Sequence, residues 1–491
     1  MKPNIVLIEV DQMRADCLGI NDPTGFVSTP VLDDMARAGY NFGQMYSVTP
    51  SCVPARAGLL TGLNPAHTGR VGYEDLMPWH FAQTLPQSFR DRGYQTEAIG
   101  KMHVYPPRKR LGYDHVVLHD GYLHVERKHQ QPYVGNFENS DDYLADLRRQ
   151  GDRDYTDDGL NCNAWDARPW PYPEDQHPTN WIVKQGIDFL KRRDPTCPFF
   201  LKLSFDKPHA PLDPPPYYFD MYMQRLKDHR LDLHMGDWEQ VPDQPPALEA
   251  MQGKLRDDDE RRMVAGYLGL ISQLDHQIGR FLTALVETGE FDHTLIWFVS
   301  DHGDLLGEHG FFRKMLPYQG SIHVPSFLYD PGHLLAGTPH QIDAPVVLQD
   351  LFASLVDLTG GEPVATDGQS VRPLIEGKAP DSADSRLVFG EHAYWEWSAQ
   401  FVLQAGIKLV WFPCQDRYQL FDLTRDPNER HDAIGDPAYA GAVAALKAAL
   451  TKHLANREEG FVQNGQLTRR TAAQCQPTLA FVRRQKEAEH D

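Results

Sequence analysis

The sequence predicts an α/β protein: a large, mostly parallel central sheet sandwiched by helices, with a smaller C-terminal subdomain of antiparallel sheet plus helix. Three observations carry this expectation. Apolar runs of strand length alternate with amphipathic helical stretches from Asn4 to Tyr329, four of those runs end in polar clusters, and beyond residue 381 strands follow one another without intervening helices. The expected division is 1–380 for the larger domain and 381–491 for the smaller one and its tail. Of the 491 residues 41% are hydrophobic, enough to bury a core under more than one layer.

Asn4 to Val10 is a continuous apolar run broken only by Glu9, the pattern of a strand covered on both faces, and it ends at Asp11-Gln12. Thr29-Pro30 opens a helix through Ala38, stopped by Gly39, and Tyr40 to Val48 returns as a strand. Gln83 to Arg92 reads as a helix and Tyr94 to Ile99 as a strand, with Gly100-Lys101-Met102-His103 after it. The pattern recurs in helix Thr179 to Arg193, strand Pro198 to Phe205 and Asp206-Lys207-Pro208-His209. It recurs again in helix Asp257 to Gly289, strand Thr294 to Ser300 and Asp301-His302-Gly303-Asp304. Ligands of open α/β sheets bind beyond the carboxyl ends of the strands, so these four clusters are the candidate chemistry.

Val324 to Tyr329 reads as a further strand and Pro345 to Thr359 as a helix. In the second unit, Arg386 to Glu391, Phe401 to Phe412 and Tyr418 to Leu423 are expected as strands and Ala438 to Leu454 as a helix. The polar stretch from Arg457 reads as a tail or an arm for a neighbouring subunit. Two segments, Val104 to Pro178 and Leu212 to Arg256, show little periodicity; their Trp165, Trp170, Tyr172 and His177 read either as a substrate-pocket wall or, more simply, as aromatics that pack a long loop onto the body.

The formal charge of -20, from 68 acidic residues against 48 Lys and Arg, opposes binding of nucleic acid, so an anionic substrate must find a local positive pocket. The cysteines at 17, 52, 162, 197, 414 and 475 are widely spaced without a CxxC pair, which points to reduced thiols and away from a disulfide framework or zinc finger. The N-terminal apolar run is too short and polar for a secretory leader, and no stretch approaches the roughly 20 apolar residues of a membrane span. A cytoplasmic protein without a membrane partner is expected.

The stretch Ser51-Cys52-Val53-Pro54-Ala55-Arg56-Ala57-Gly58-Leu59-Leu60-Thr61-Gly62 places a thiol ahead of a proline-initiated helix, Ala55 to Leu60, whose positive end suits an anion. An isolated cysteine is more often a small core residue, so the weight falls on its neighbours. Cys-x-Pro-x-Arg with Leu-Leu-Thr-Gly resembles the signature of the formylglycine-dependent sulfatases, within the alkaline-phosphatase-like superfamily. The resemblance extends in order through Val10-Asp11-Gln12, Gly100-Lys101-Met102-His103, Lys207-Pro208-His209, Ser300-Asp301-His302-Gly303, Gly307-Glu308-His309-Gly310 and Lys314. Leu420-Phe421-Asp422-Leu423 with Asp426-Pro427-Asn428-Glu429 resembles the family's closing strand and turn.

The resemblance implies a sulfuric ester hydrolase acting on a small-molecule or saccharide sulfate ester. Cys52 would be oxidised to formylglycine by a formylglycine-generating enzyme, and its hydrate would attack sulfur. Asp11, Gln12, residue 52, Asp301 and His302 are implied as ligands of one divalent cation, Ca²⁺ by resemblance; Gln12 and His302 stand where the family usually has Asp and Asn, which leaves Mg²⁺ or Mn²⁺ open. Arg56 and Lys101 are implied as cations at the nucleophile, His103 as the base that expels sulfate, and His209 with Lys314 as the pair that grips the sulfuryl group, His209 as general acid. Taken singly, each has a plainer reading: an N-cap for Asp11-Gln12, a turn for Asp301-His302-Gly303, surface salt bridges for Arg56 and Lys101.

Two other readings stand beside this one. Asp11-Gln12 and Asp301-His302 also resemble the phosphonate monoester and phosphodiester hydrolases of the same superfamily, whereas Lys101-x-His103 is the sulfatase pattern. A metal- or sulfate-binding protein whose cysteine is never modified is the alternative of another class. A homo-oligomer is compatible with the sequence.

Overall fold

Strand β1 (Asn4–Asp11) lies at the middle of the molecule, and its alternation organises both layers around it. Val6, Ile8 and Val10 face a core that includes residues of helix α1 (Pro30–Arg37) and of helices Pro178–Arg192 and Asp257–Glu287. Ile5 and Leu7 face the opposite core, against helices α2 (Cys52–Thr61), Leu85–Asp91 and Asp350–Leu358. A strand covered on both sides must be apolar at nearly every position, which is what the N-terminal run shows. The computed structural model describes residues 2–476 except 23, 75–76, 121–140, 152–159, 229–231, 233, 239–240 and 379–385.

The other strands of the first region are β2 (Tyr40–Phe42), β3 (Met45–Tyr46), β4 (Gln95–Gly100), β5 (His115–Leu118), β6 (Phe199–Pro208), β7 (Thr294–Ser300), β8 (Ser326–Tyr329), β9 (Gln341–Ile342) and β10 (Val346–Val347). The main sheet runs β5-β4-β6-β1-β7-β8-β2-β9. From β5 to β7 every pairing is parallel, and β8 alone runs against its neighbours. The order places β4, β6, β1 and β7 side by side, so the four polar clusters emerge on one edge of four adjacent strands. Gly100 ends β4 at φ +96°, and a Cβ there would meet the Ser204 carbonyl oxygen at 1.9 Å; only glycine fits where β4 turns toward Lys101.

The second sheet is antiparallel: β11 (Val388–His392), β12 (Ala399–Gln404), β13 (Ile407–Phe412) and β14 (Arg417–Asp422), in that order. Phe401, Leu403, Val410 and Phe412 pack with Tyr46, Val48 and Tyr318 of the first region, while Val402, Leu409 and Trp411 face helix Ala440–Leu454 through Leu446, Leu450 and Leu454. The expected boundary at 380/381 lies outside the described residues. Among the described residues no helix is long and apolar enough to cross a membrane.

Several expectations need correction. The single strand expected over Phe401 to Phe412 is two, because Ala405 and Gly406 both take positive φ and turn the chain. Tyr40 to Val48 likewise divides into β2 and β3. The irregular segments contain β5 and helices Asp142–Gly151 and Pro216–Arg225. The stretch after Arg457 carries a small hairpin, Val462–Gln463 with Gln466–Leu467. Trp170 is core, not pocket wall: it is buried with edge contacts to Tyr172 and His177. Trp165 differs, lining a cavity of about 20 Å³ with Gln12, His209, Asp304, Phe312 and Arg313.

Candidate active site

Helix α2 begins one turn earlier than the proline implies. Ser51 is its extended N-cap residue, Cys52 is the first helical residue, Pro54 sits in the first turn, and Gly62 closes the helix in the left-handed region. All ten residues of α2 are buried, so the helix fixes position 52 against the carboxyl edge of the sheet. Its positive end faces whatever position 52 carries.

Around the thiol the structure gathers the other candidates. Cys52 Sγ lies 3.2 Å from His302 Nε2, 3.4 Å from Lys314 Nζ, 3.6 Å from Asp11 Oδ1 and 4.0 Å from Lys101 Nζ. Lys101 Nζ is also 2.7 Å from Asp11 Oδ2. Arg56, one turn along α2, reaches Asp11 Oδ2 at 3.1 Å, Asp301 Oδ2 at 3.0 Å and Glu9 Oε1 at 3.2 Å, and donates to Ser204 Oγ and the Lys101 carbonyl. The plain surface readings of Arg56 and Lys101 therefore fall, since both are buried in the cluster.

Asp11, Cys52, Asp301 and His302 each present a ligand atom within 4.8 Å of the others, and all four are buried. Three features fit a divalent cation. His302 Nδ1 lies 2.9 Å from the Gly303 carbonyl and donates to it, which turns the Nε2 lone pair toward the cluster. Lys101 first, and Arg56 with it, hold Asp11 well below the usual carboxylate range against the cost of burial. Burial and the Asp11 charge push Asp301 up to about 7, although His302 and Arg56 oppose the shift. The cluster's second negative charge is thus undercompensated by the protein's own cations, the deficit a divalent ion meets. Gln12 is engaged otherwise: its Oε1 accepts from Lys314 Nζ at 2.6 Å, its Nε2 donates to Asp304, and its backbone N–H donates to Asp301 Oδ1. A second lone pair on Oε1 keeps it available as a ligand.

His209 and His103 flank the cluster. Burial first, and Lys314 next, push the His209 pKa well below its usual value, and Nδ1 donates to the Ala210 carbonyl at 2.9 Å. The ring is therefore neutral before substrate arrives, and a role as acid requires the negative charge of a bound ester beside it. His103 has φ +57°, its backbone N–H and that of Met102 donate to Asp120 Oδ1, and its Nε2 lies 3.4 Å from the Tyr73 hydroxyl. Every candidate proposed from sequence is thus brought to one edge of the sheet.

Glu9, Lys202, Tyr73 and Asp120 were not among those candidates. Glu9 shares the face of β1 that carries Ile5 and Leu7, which turns its carboxylate under Arg56, where it also pairs with Lys202. The signal existed: one charged residue inside an otherwise apolar buried strand needs a partner.

The profile of the family described as Sulfatase matches residues 3–361, and that described as N-sulphoglucosamine sulphohydrolase, C-terminal, matches residues 307–456. An arylsulfatase of Clostridium perfringens is 44% identical over 475 residues, covering 95% of this chain and 97% of the relative. The crystal structure of phosphonate monoester hydrolase of Agrobacterium radiobacter superposes with TM-score 0.72 at 24% identity, covering 93% of this chain and 96% of that one. A structure of a protein in complex with its substrate D-glucosamine-2-N,6-O-disulfate gives TM-score 0.72 at 21% identity, covering 94% and 99%.

Proposed function

The chain belongs to the sulfatase family and hydrolyses sulfate esters, and we propose that it does so with formylglycine derived from Cys52 and one divalent cation, Ca²⁺ first, held by Asp11, Asp301, His302 and residue 52, with Gln12 as a further oxygen ligand. The observation that carries this reading is the position of Cys52 Sγ, within 3.6 Å of two cation-ligand candidates and of Lys314. In the modified protein a hydroxyl of the aldehyde hydrate takes the place of that sulfur. The hydrate supplies a hydroxyl nucleophile, and the cation supplies charge neutralisation at the reacting oxygens.

The chain's own residues set up the rest. Arg56 holds Asp11 and Asp301 in place, and Lys101 lowers the charge at Asp11. Lys314 Nζ lies 3.4 Å from Cys52 Sγ, where it grips a sulfuryl oxygen. His209 protonates the departing alcohol once bound sulfate has raised its pKa. His103, oriented by Asp120 and Tyr73, takes the proton whose removal releases inorganic sulfate.

His209→Ala is expected to slow turnover of an alkyl sulfate by roughly 10²–10⁴-fold, whereas 4-nitrophenyl sulfate, whose phenolate leaves with little help, slows far less. Equal losses for both esters count against the acid role. Dialysis against EDTA is expected to remove most activity and to lower the thermal midpoint, with both restored by Ca²⁺, Mg²⁺ or Mn²⁺; elemental analysis of the protein before dialysis identifies the native ion. Full activity in protein shown to be metal-free by elemental analysis rules out the cation.

The second reading, a phosphonate monoester hydrolase, is favoured by Gln12 and His302 in place of Asp and Asn. Turnover of an aryl sulfate and of a phenylphosphonate ester by one preparation separates the two: the sulfate is expected to be preferred, because Lys101 and His103 both stand in the site. For the natural ester, the arylsulfatase relative and the glucosamine disulfate complex support an aryl or saccharide sulfate.

A further inference from the structure

His392 ends β11, the first strand of the antiparallel sheet, yet it belongs to the neighbourhood of Cys52. The residues on either side of it are fastened to the catalytic domain: Glu391 N–H donates to the Val48 carbonyl at 2.8 Å and Ala393 N–H to the Val71 carbonyl at 2.7 Å. Val48 is four residues before Cys52, and Val71 is two before Tyr73, whose hydroxyl meets His103. Gly390 lets β11 come this close, since a Cβ there would lie 2.5 Å from the Val48 carbonyl oxygen. From the other side the segment before Cys52 is held by Lys314's neighbour, Met315, whose N–H donates to the Pro50 carbonyl. His392 and Lys314 therefore approach one short segment from two directions.

The imidazole is 1% exposed, and neither Nδ1 nor Nε2 has a hydrogen-bond partner among the described residues. Two hydroxyls of the segment it is fastened to, Thr49 Oγ1 and Ser51 Oγ, are buried without a partner in the same way. Buried polar atoms are ordinarily satisfied, and several left over beside a reaction centre mark a place built for a polar ligand. Burial first, with the Lys314 charge beside it, pushes the His392 pKa down to about 3, so the ring is neutral and offers one N–H donor and one acceptor. A neutral donor adds to the grip on an anion without further repulsion among Arg56, Lys101 and Lys314.

We propose that His392 is a substrate-binding residue supplied by the C-terminal subdomain, its imidazole N–H donating to an oxygen of the bound sulfate group. The antiparallel sheet then completes the site as well as packing against it. The inference rests on the Cys52 cluster being the reaction centre.

The test uses the full chain and three variants: His392→Ala, His392→Gln, which keeps an N–H donor, and Cys52→Ala. Binding of inorganic sulfate is followed by calorimetry, 4-nitrophenyl sulfate turnover by kinetics, and conversion at position 52 by peptide mass. The expected result is a rise of about tenfold or more in the sulfate dissociation constant and in KM for His392→Ala, matching the loss of one charge-assisted hydrogen bond, with partial recovery in His392→Gln and unchanged conversion. Sulfate affinity and KM within twofold of the unmodified chain in both variants overturn the proposal and leave His392 a buried ring satisfied by water. If His392→Ala does not fold, His392→Phe, which also lacks the donor, replaces it on the same readouts: a tenfold loss with partial recovery in His392→Gln supports the proposal, and values within twofold of the parent overturn it. An active Cys52→Ala protein refutes the reaction centre itself, a result distinct from wild-type behaviour of the His392 variants.

Discussion

Cys52→Ala is expected to lose at least ~10⁴-fold in kcat/KM for any sulfate ester while keeping its fold, because removal of a covalent nucleophile leaves only positioning and electrostatic help. The fold argument is local. Cys52 is the first helical residue of α2, alanine is the better helix former, and the lost sulfur is one small buried atom. What disappears is the atom on which His302, Lys314, Asp11 and Lys101 converge. The same experiment carries a chemical check on the wild type. Trypsin releases residue 52 on the peptide Ala38 to Arg56, and conversion replaces the thiol carbon's S–H and one hydrogen with a carbonyl oxygen, which changes the mass and makes the peptide react with hydrazides. An unmodified thiol in fully active enzyme would falsify the formylglycine mechanism and return Cys52 to the role of a simple thiolate.

The geometry also explains how much of this was legible in the chain. Strand ends were readable because each buried strand is a long apolar run that stops at a polar residue. Asp11, Lys101, His209 and Asp301 therefore announce themselves locally, and the order β4-β6-β1-β7 makes them neighbours. Glu9 and Lys202 were not readable as partners. They lie on different strands whose register pairs Glu9 with Ser204 and Leu7 with Lys202, and nothing in either segment encodes that adjacency. His392 was hidden for the same reason, since its strand belongs to another sheet. The helix start at Cys52 was missed because Pro54 suits the first helical position but is tolerated anywhere in the first turn. The Ala405-Gly406 turn was a local signal that a long apolar run concealed.

Arg56→Met should be the most destabilising single substitution in the site, lowering unfolding free energy by about 3–5 kcal/mol. The guanidinium is buried and contacts three carboxylates, Glu9, Asp11 and Asp301, each with a separate nitrogen. Removing it leaves those carboxylates with only Lys202 at Glu9 and Lys101 at Asp11, and among the described residues no other Lys or Arg forms an ion pair with Asp301. The penalty is the uncompensated charge, not the worth of any one pair. Arg56→Lys should recover little, because a single ammonium cannot meet three carboxylates in a planar fan. Glu9→Gln removes one of the stranded charges, so the Arg56→Met, Glu9→Gln double variant should cost less than the sum of the two singles, with the coupling read from urea unfolding midpoints followed by ellipticity. Additive costs, or an Arg56→Met midpoint within about 1 kcal/mol of the parent, mean that the buried carboxylates are balanced without Arg56.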